Sequence, residues 1–161
     1  MNTKDFFIKR FGDEKPVFLR VFAAVPGDQL GYKPHERSMS AGDLLWLLAF
    51  ELKDACTVVE NGEVHFQMPK APSSKEEIVA EYEKNAGQLQ SCVSGLGDEA
   101  WDKPVRFLVE GNVAWEAPLG EMLWGFLFDA IHHRGQLSTY IRPMGGKVPS
   151  IYGPSGDDPG M

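Results

Sequence analysis

Apolar side chains recur at three- and four-residue intervals in four separate segments, and this periodicity constrains the fold of the chain more than any other feature. Breaks rich in proline and glycine separate the segments. The pattern predicts helices over about residues 3–25, 41–60, 75–96 and 118–141. Since the chain has 161 residues, we expect a single domain over 1–161 with an all-α fold, a four-helix bundle.

Two stretches leave their local structure open. Gly12 and Pro16 interrupt the first segment, so it forms either one kinked helix or a short helix followed by a longer one. A long connection precedes the last helix, and within it Val105–Trp115 is rich in β-prone residues around a turn signal at Glu110. This connection predicts either a short hairpin or an extended crossover beside the bundle.

Charge and apolar run length exclude several classes of protein. The 16 basic and 23 acidic residues give a net charge of −7, which argues against binding to nucleic acids or anionic membranes. The longest apolar run, Leu44–Phe50, is too short to span a bilayer, and the charged N-terminus resembles no signal peptide. We therefore expect a cytoplasmic protein, in which Cys56 and Cys92 are small core residues and form no disulfide.

Three ionisable residues lie on stripes that are otherwise apolar. Asp129 and His133 are four residues apart on the last predicted helix, so they share one face. Glu51 lies on the apolar stripe of the second predicted helix. We expect all three side chains to face the interior, where a carboxylate requires a partner because burying it unpaired is costly.

Two carboxylates and one imidazole from facing helices form a suitable ligand set for a divalent metal, with positions left for water or substrate. Gln136 and Tyr140 follow His133 on the same helix and are candidates for orienting a substrate. Two other interpretations stay open. Asp129 and His133 form either an internal ion pair that fixes helix packing or the acid–base pair of a metal-free hydrolase. An internal pair predicts that His133→Ala costs about 3–5 kcal/mol of stability.

The last helix and the tail resemble the DinB/YfiT-like family. The resemblance is carried by Asp129–Tyr140 (DAIHHRGQLSTY) and Val148–Ser155 (VPSIYGPS), and more loosely by Ser40–Ala49. It implies a four-helix bundle, often a homodimer, with a divalent metal held by three histidines. It also implies, for several members, thiol-dependent transferase or isomerase activity that uses bacillithiol or mycothiol, whereas many other members have no known activity.

The family's histidine pattern is incomplete in this chain. His133 matches the second histidine of the last helix, but Asp129 occupies the first position and Leu47 occupies the position on helix two. Either Glu51, one turn after Leu47, completes a rebuilt site for Mn, Fe, Ni or Zn, or the metal has been lost and the scaffold retained. The first alternative predicts a metal-dependent hydrolase or a transferase that acts on a small-molecule thiol or electrophile. The second predicts a non-catalytic stress-related or interaction protein.

Overall fold

The computed structural model describes residues 2–160, and its long helices follow the predicted segments. The helices, in chain order, are α1 Thr3–Ala24, α2 Ala41–Asn61, α3 Lys75–Ser94, the one-turn α4 Asp98–Trp101 and α5 Leu119–Ile141. Ser40 stands three residues before Asp43, a spacing typical of a helix cap, and it caps α2 by accepting a hydrogen bond from the Asp43 amide. Pro16 lies inside α1, which is one continuous helix.

The all-α prediction is wrong, because three strands form a small mixed sheet beside the helices. Strand β1 Glu63–Phe66 runs parallel to β2 Pro104–Val109, which pairs antiparallel with β3 Asn112–Pro118. The hairpin is one of the two alternatives for the long connection, whereas β1 was not foreseen. Four residues are too few to show a clear alternation, and the strand that pairs with β1 comes only after α3 in the chain.

The hairpin turn explains how the chain reverses between β2 and β3. Glu110 and Gly111 have φ angles of 51° and 79°, the left-handed values at both central positions of a type I′ turn. This turn matches the right-handed twist of paired strands, and glycine adopts its second position without steric cost. The hairpin thereby returns the chain to α5 through Pro118, which directly precedes the helix.

A row of aromatic rings attaches the sheet to α2 and α5. The ring centroids of Phe50 and Phe66 are 6.4 Å apart, and those of Phe66 and Phe107 are 5.8 Å apart. Phe107 continues the row to Phe126 of α5, again at 5.8 Å. Edge-to-face and tilted pairs at such distances are favourable. The row places the sheet beside the seam between α2 and α5, where the predicted ligands lie.

Cys56 is buried in α2, as predicted, but Cys92 of α3 is only half-buried. The Cys92 thiol donates a hydrogen bond to Oε1 of Glu60 at 3.7 Å, so Cys92 lies at the edge of the core. Both cysteines are free thiols. Among the helices within residues 2–160, none combines the length and apolar character required to cross a membrane.

Candidate metal centre

The structure brings the three predicted ligands together across the seam between α2 and α5. One ligand atom from each of Glu51, Asp129 and His133 lies within 4.8 Å of the other two. Nε2 of His133 is 3.3 Å from Oδ2 of Asp129, as expected for residues one helical turn apart. Glu51 reaches the same point from the facing helix. Binding of a metal by these residues stays a prediction.

The three side chains differ in exposure, and the prediction that Asp129 faces the interior is wrong. Glu51 is 6% exposed and His133 is half-buried, but the Asp129 side chain is 55% exposed. Asp129 lines a groove between α5 and the hairpin, which leaves its side chain open to solvent on that side. The cluster therefore extends from the interior to the surface and is accessible to small molecules from one side.

Glu51 is the most strongly perturbed acid of the cluster. Burial, and after it a hydrogen bond with Asp129 and the negative charge of Asp129, raise the pKa of its carboxyl group to about 9. Its Oε2 atom has no hydrogen-bond partner among the described residues. A buried oxygen without a partner is costly, and a cation would satisfy it. The residues present therefore fit a divalent metal, by their chemistry as well as their proximity.

Gln136 and Tyr140 lie behind His133 and orient its ring. Nδ1 of His133 is 3.1 Å from Oε1 of Gln136, so a protonated Nδ1 donates there and leaves Nε2 directed at the cluster. Nε2 of Gln136 donates to the Tyr140 hydroxyl at 3.5 Å, and this hydroxyl donates to the Met39 carbonyl at 3.4 Å. Such outer partners hold a metal-binding imidazole in place. A role for either residue in substrate binding stays a prediction.

A groove of about 320 Å³ opens at Asp129. Its walls are Phe107 of β2, Trp115 of β3, and Gly125 and Phe126 of α5. A Cβ atom at position 125 would overlap the indole ring of Trp115, so only glycine lets the indole pack directly against the helix backbone. The groove therefore connects the exposed carboxylate of the cluster to an aromatic surface.

A second charged cluster, which was not predicted from the sequence, begins one residue further along α5. Nη1 of the buried Arg134 donates to Oε2 of the buried Glu14 at 2.6 Å, and Nη2 donates to the Tyr152 hydroxyl at 2.6 Å. The Tyr152 hydroxyl donates to Oε1 of Glu14 at 2.9 Å, and Arg10 donates to the same oxygen at 2.6 Å. These bonds attach the C-terminal tail to α1 and α5.

A sequence signal for this second cluster was present. Glu14 is spaced three and four residues from Phe11 and Phe18, and Arg134 is spaced likewise from Ala130 and Leu137. All four of these apolar neighbours are buried, so both charged residues lie on core-facing stripes. The same criterion that selected Glu51 would have selected Glu14 and Arg134 and predicted that they pair.

The fold and the first cluster define a class of protein. A bundle whose facing helices direct carboxylates and an imidazole into one seam has the architecture of helical proteins that hold metals or other cofactors between helices. The sequence profile of the DinB superfamily matches residues 12–137, so the chain belongs to the DinB superfamily. The family resemblance seen in the sequence is thereby confirmed. The chain is 22% identical to the "Uncharacterized protein YrdA" of Bacillus subtilis strain 168 over 161 aligned residues, which cover 97% of this chain and 92% of that protein.

Two solved structures share the fold at low sequence identity. A DinB-like protein from Bacillus cereus superposes with a TM-score of 0.75 and 16% identity, over 91% of this chain and 95% of that one. A mycothiol-dependent maleylpyruvate isomerase superposes with a TM-score of 0.56 and 13% identity, over 91% of this chain but 62% of that one. At such identities the comparison establishes the fold and leaves the activity open.

Proposed function

We propose that the protein binds a divalent metal ion through Glu51, Asp129 and His133. Two observations carry the proposal: one ligand atom from each of the three residues lies within 4.8 Å of the other two, and Oε2 of the buried Glu51 has no hydrogen-bond partner among the described residues. Mixed carboxylate and imidazole sets suit Mn, Fe, Ni and Zn, which leaves the identity of the metal to experiment.

A divalent metal held there would polarise a bound carbonyl group and lower the pKa of a bound water or thiol. The chain's own residues would divide the other tasks. Gln136 holds the imidazole ring, Glu51 provides the buried negative charge, and the exposed Asp129 faces the groove through which a substrate would enter. We propose that the activity is that of a metal-dependent hydrolase or a thiol-dependent transferase acting on a small thiol or electrophile, in a cytoplasmic, single-domain homodimer.

A second candidate is a non-catalytic protein of the same fold that has lost the metal. The Asp129–His133 pair favours it, because these two groups lie 3.3 Å apart and can satisfy each other without a cation. A protonated Glu51 can likewise donate its proton to Asp129. Leu47, which stands at the family's helix-two histidine position, supplies no ligand atom. In this case the bundle would serve as an interaction module.

Metal stoichiometry separates the two candidates. Purified protein is stripped with a chelator and incubated in turn with Mn²⁺, Fe²⁺, Ni²⁺ and Zn²⁺. After gel filtration, bound metal is measured by elemental analysis. We expect near-stoichiometric metal in the wild type and little in Glu51→Gln, Asp129→Asn and His133→Gln.

The matched control is Asp54→Asn, which alters another buried acid of α2 that lies outside the cluster. We expect it to retain the metal. A wild-type protein that binds none of the four metals, or three cluster variants that all retain them, would refute the proposal and favour the non-catalytic candidate.

A further inference from the structure

We infer that the groove beside Asp129 binds the flat aromatic or conjugated group of a substrate whose polar end reaches the metal ligands. This inference rests on the proposed function, because it names the substrate class of that same site. The groove has a volume of about 320 Å³, which lies at the lower end of the range for small-molecule sites.

The walls of the groove are aromatic on both sides. Phe107 and Trp115 approach from the hairpin and Phe126 from α5, and all three rings are half-buried. The ring planes of Phe107 and Phe126 are inclined by 67° and their centroids are 5.8 Å apart, so each ring presents an edge or a face to the space between the hairpin and α5. Aromatic rings prefer such offset and edge-to-face neighbours, and a flat guest ring would complete the arrangement.

Gly125 sets the floor and the depth of this groove. Because no side chain stands there, the Trp115 indole lies against the α5 backbone. Gly125 precedes Asp129 by four residues, which is about 6 Å along the helix axis. A ring stacked on the indole that covers Gly125 would therefore lie about one helical turn from the ligand carboxylate, within reach of a metal through an oxygen substituent.

The charge in the groove indicates which chemical group the polar end of the ligand carries. Among the lining residues, Asp129 alone carries a charge, and its carboxylate lies where the groove meets the cluster. A free anion would be repelled at that point unless a cation were bound to the cluster. The complementary ligand is a planar apolar group with a metal-chelating oxygen pair at one end.

Two hydroxamates test this inference directly. Benzohydroxamate and acetohydroxamate share one chelating group and differ in carrying a phenyl ring or a methyl group. Binding of each to the metal-loaded protein is measured by isothermal titration calorimetry, and each affinity is corrected for chelation of the same metal in buffer. We expect benzohydroxamate to bind the wild type about tenfold tighter or more, because only its ring fills the groove.

The variants locate the preference. Trp115→Ala should reduce the ratio of the two affinities towards one, and Trp115→Phe should retain most of it. Phe128→Ala is the matched control, because Phe128 is an exposed aromatic residue of α5 that does not line the groove. Phe107→Leu provides a second groove variant with the same expected loss, in case Trp115→Ala does not fold.

The possible failures are distinguishable. If no metal binds, elemental analysis shows it, and the proposed function fails together with this inference. If metal binds but the ratio is near one in the wild type, or is unchanged in both groove variants, the groove inference alone is overturned. A groove variant that converts a dimer into a monomer in sedimentation would also overturn it, because a second copy would then cover the groove.

Discussion

His133 and Arg134 are neighbours in the sequence but belong to two charged clusters of opposite character. The closed cluster comprises Glu14, Arg134 and Tyr152, and both carboxylate oxygens of its glutamate accept hydrogen bonds. The open cluster comprises Glu51, Asp129 and His133, and one oxygen of its glutamate has no partner among the described residues. Successive residues of a helix point about 100° apart, so one turn of α5 serves both clusters.

The partners of a buried charge indicate its role. In the closed cluster each oxygen of the Glu14 carboxylate accepts a hydrogen bond from a guanidinium group, Oε1 from Arg10 and Oε2 from Arg134. The centroid of the Phe18 ring is 4.5 Å from the Arg134 guanidinium carbon. The Glu14 carboxylate is thus satisfied within the protein, although Nε of Arg134 has no hydrogen-bond partner among the described residues. Removing a member of this cluster should therefore affect stability. The open cluster contains two carboxyl groups and one imidazole. Replacing one of its residues should therefore affect ligand binding more than folding.

The largest expected effect is the loss of Arg134. Arg134→Ala would leave Glu14 buried with a single remaining cation, and we expect the free energy of unfolding to fall by about 3–5 kcal/mol. Urea denaturation measures the change. The control is Arg142→Ala, which removes an exposed arginine paired with Asp157 at 2.8 Å and should cost less than about 1 kcal/mol. Equal costs for the two variants would contradict the distinction between the clusters.

Asp54 tests the cost of a buried acid that has neither a buried cation nor a complete set of partners. Burial raises the pKa of Asp54 to about 7 from its ordinary value of 3.8, an effect that Lys53 partly opposes. Folding therefore favours the protonated form. The stabilisation is fully present below pH 3.8 and is lost as the pH rises through about 7. Its Oδ2 atom has no hydrogen-bond partner among the described residues.

Asp54→Asn removes this titration. We expect the stability of the variant relative to the wild type to be about 1–3 kcal/mol more favourable at pH 8.5 than at pH 4.5, because the amide carries no charge to bury. Urea denaturation at both pH values measures the difference. Glu63 and His65 line the same open pocket as Asp54 and are left unchanged. The charge of Asp54 also contributes to the raised pKa of Glu51, so both proteins carry Glu51→Gln in this comparison. A stability difference that does not vary with pH would contradict the prediction.

The smallest expected effect on stability is that of His133→Ala in the metal-free protein. The sequence alone predicts a cost of about 3–5 kcal/mol for an internal pair, but the Asp129 side chain is 55% exposed and water can solvate its carboxylate. We therefore expect a loss below about 1 kcal/mol. Thermal unfolding without metal measures it, and a loss above about 3 kcal/mol would restore the interpretation as an internal pair.

The relative positions of the candidate ligands could be predicted from the sequence only where they depend on local helix geometry. Asp129 and His133 are adjacent because helical residues four apart always are, and their spacing alone indicates it. The exposure of Asp129 could not be predicted, because it depends on the groove that the hairpin leaves open beside α5. Arg134 was missed although its spacing placed it on the core-facing stripe, and its partner Glu14 lies 120 residues earlier in the chain.

The long helices, the serine cap of α2 and the proximity of Asp129 to His133 follow from the order of the residues alone. All of these depend on side-chain periodicity and hydrogen bonds between residues a few positions apart. The pairing of β1 with β2, the meeting of Glu51 with His133 and the packing of Trp115 on Gly125 depend instead on the folded arrangement of the whole chain. These contacts join residues far apart in the chain, and their geometry depends on how the helices and the sheet pack together.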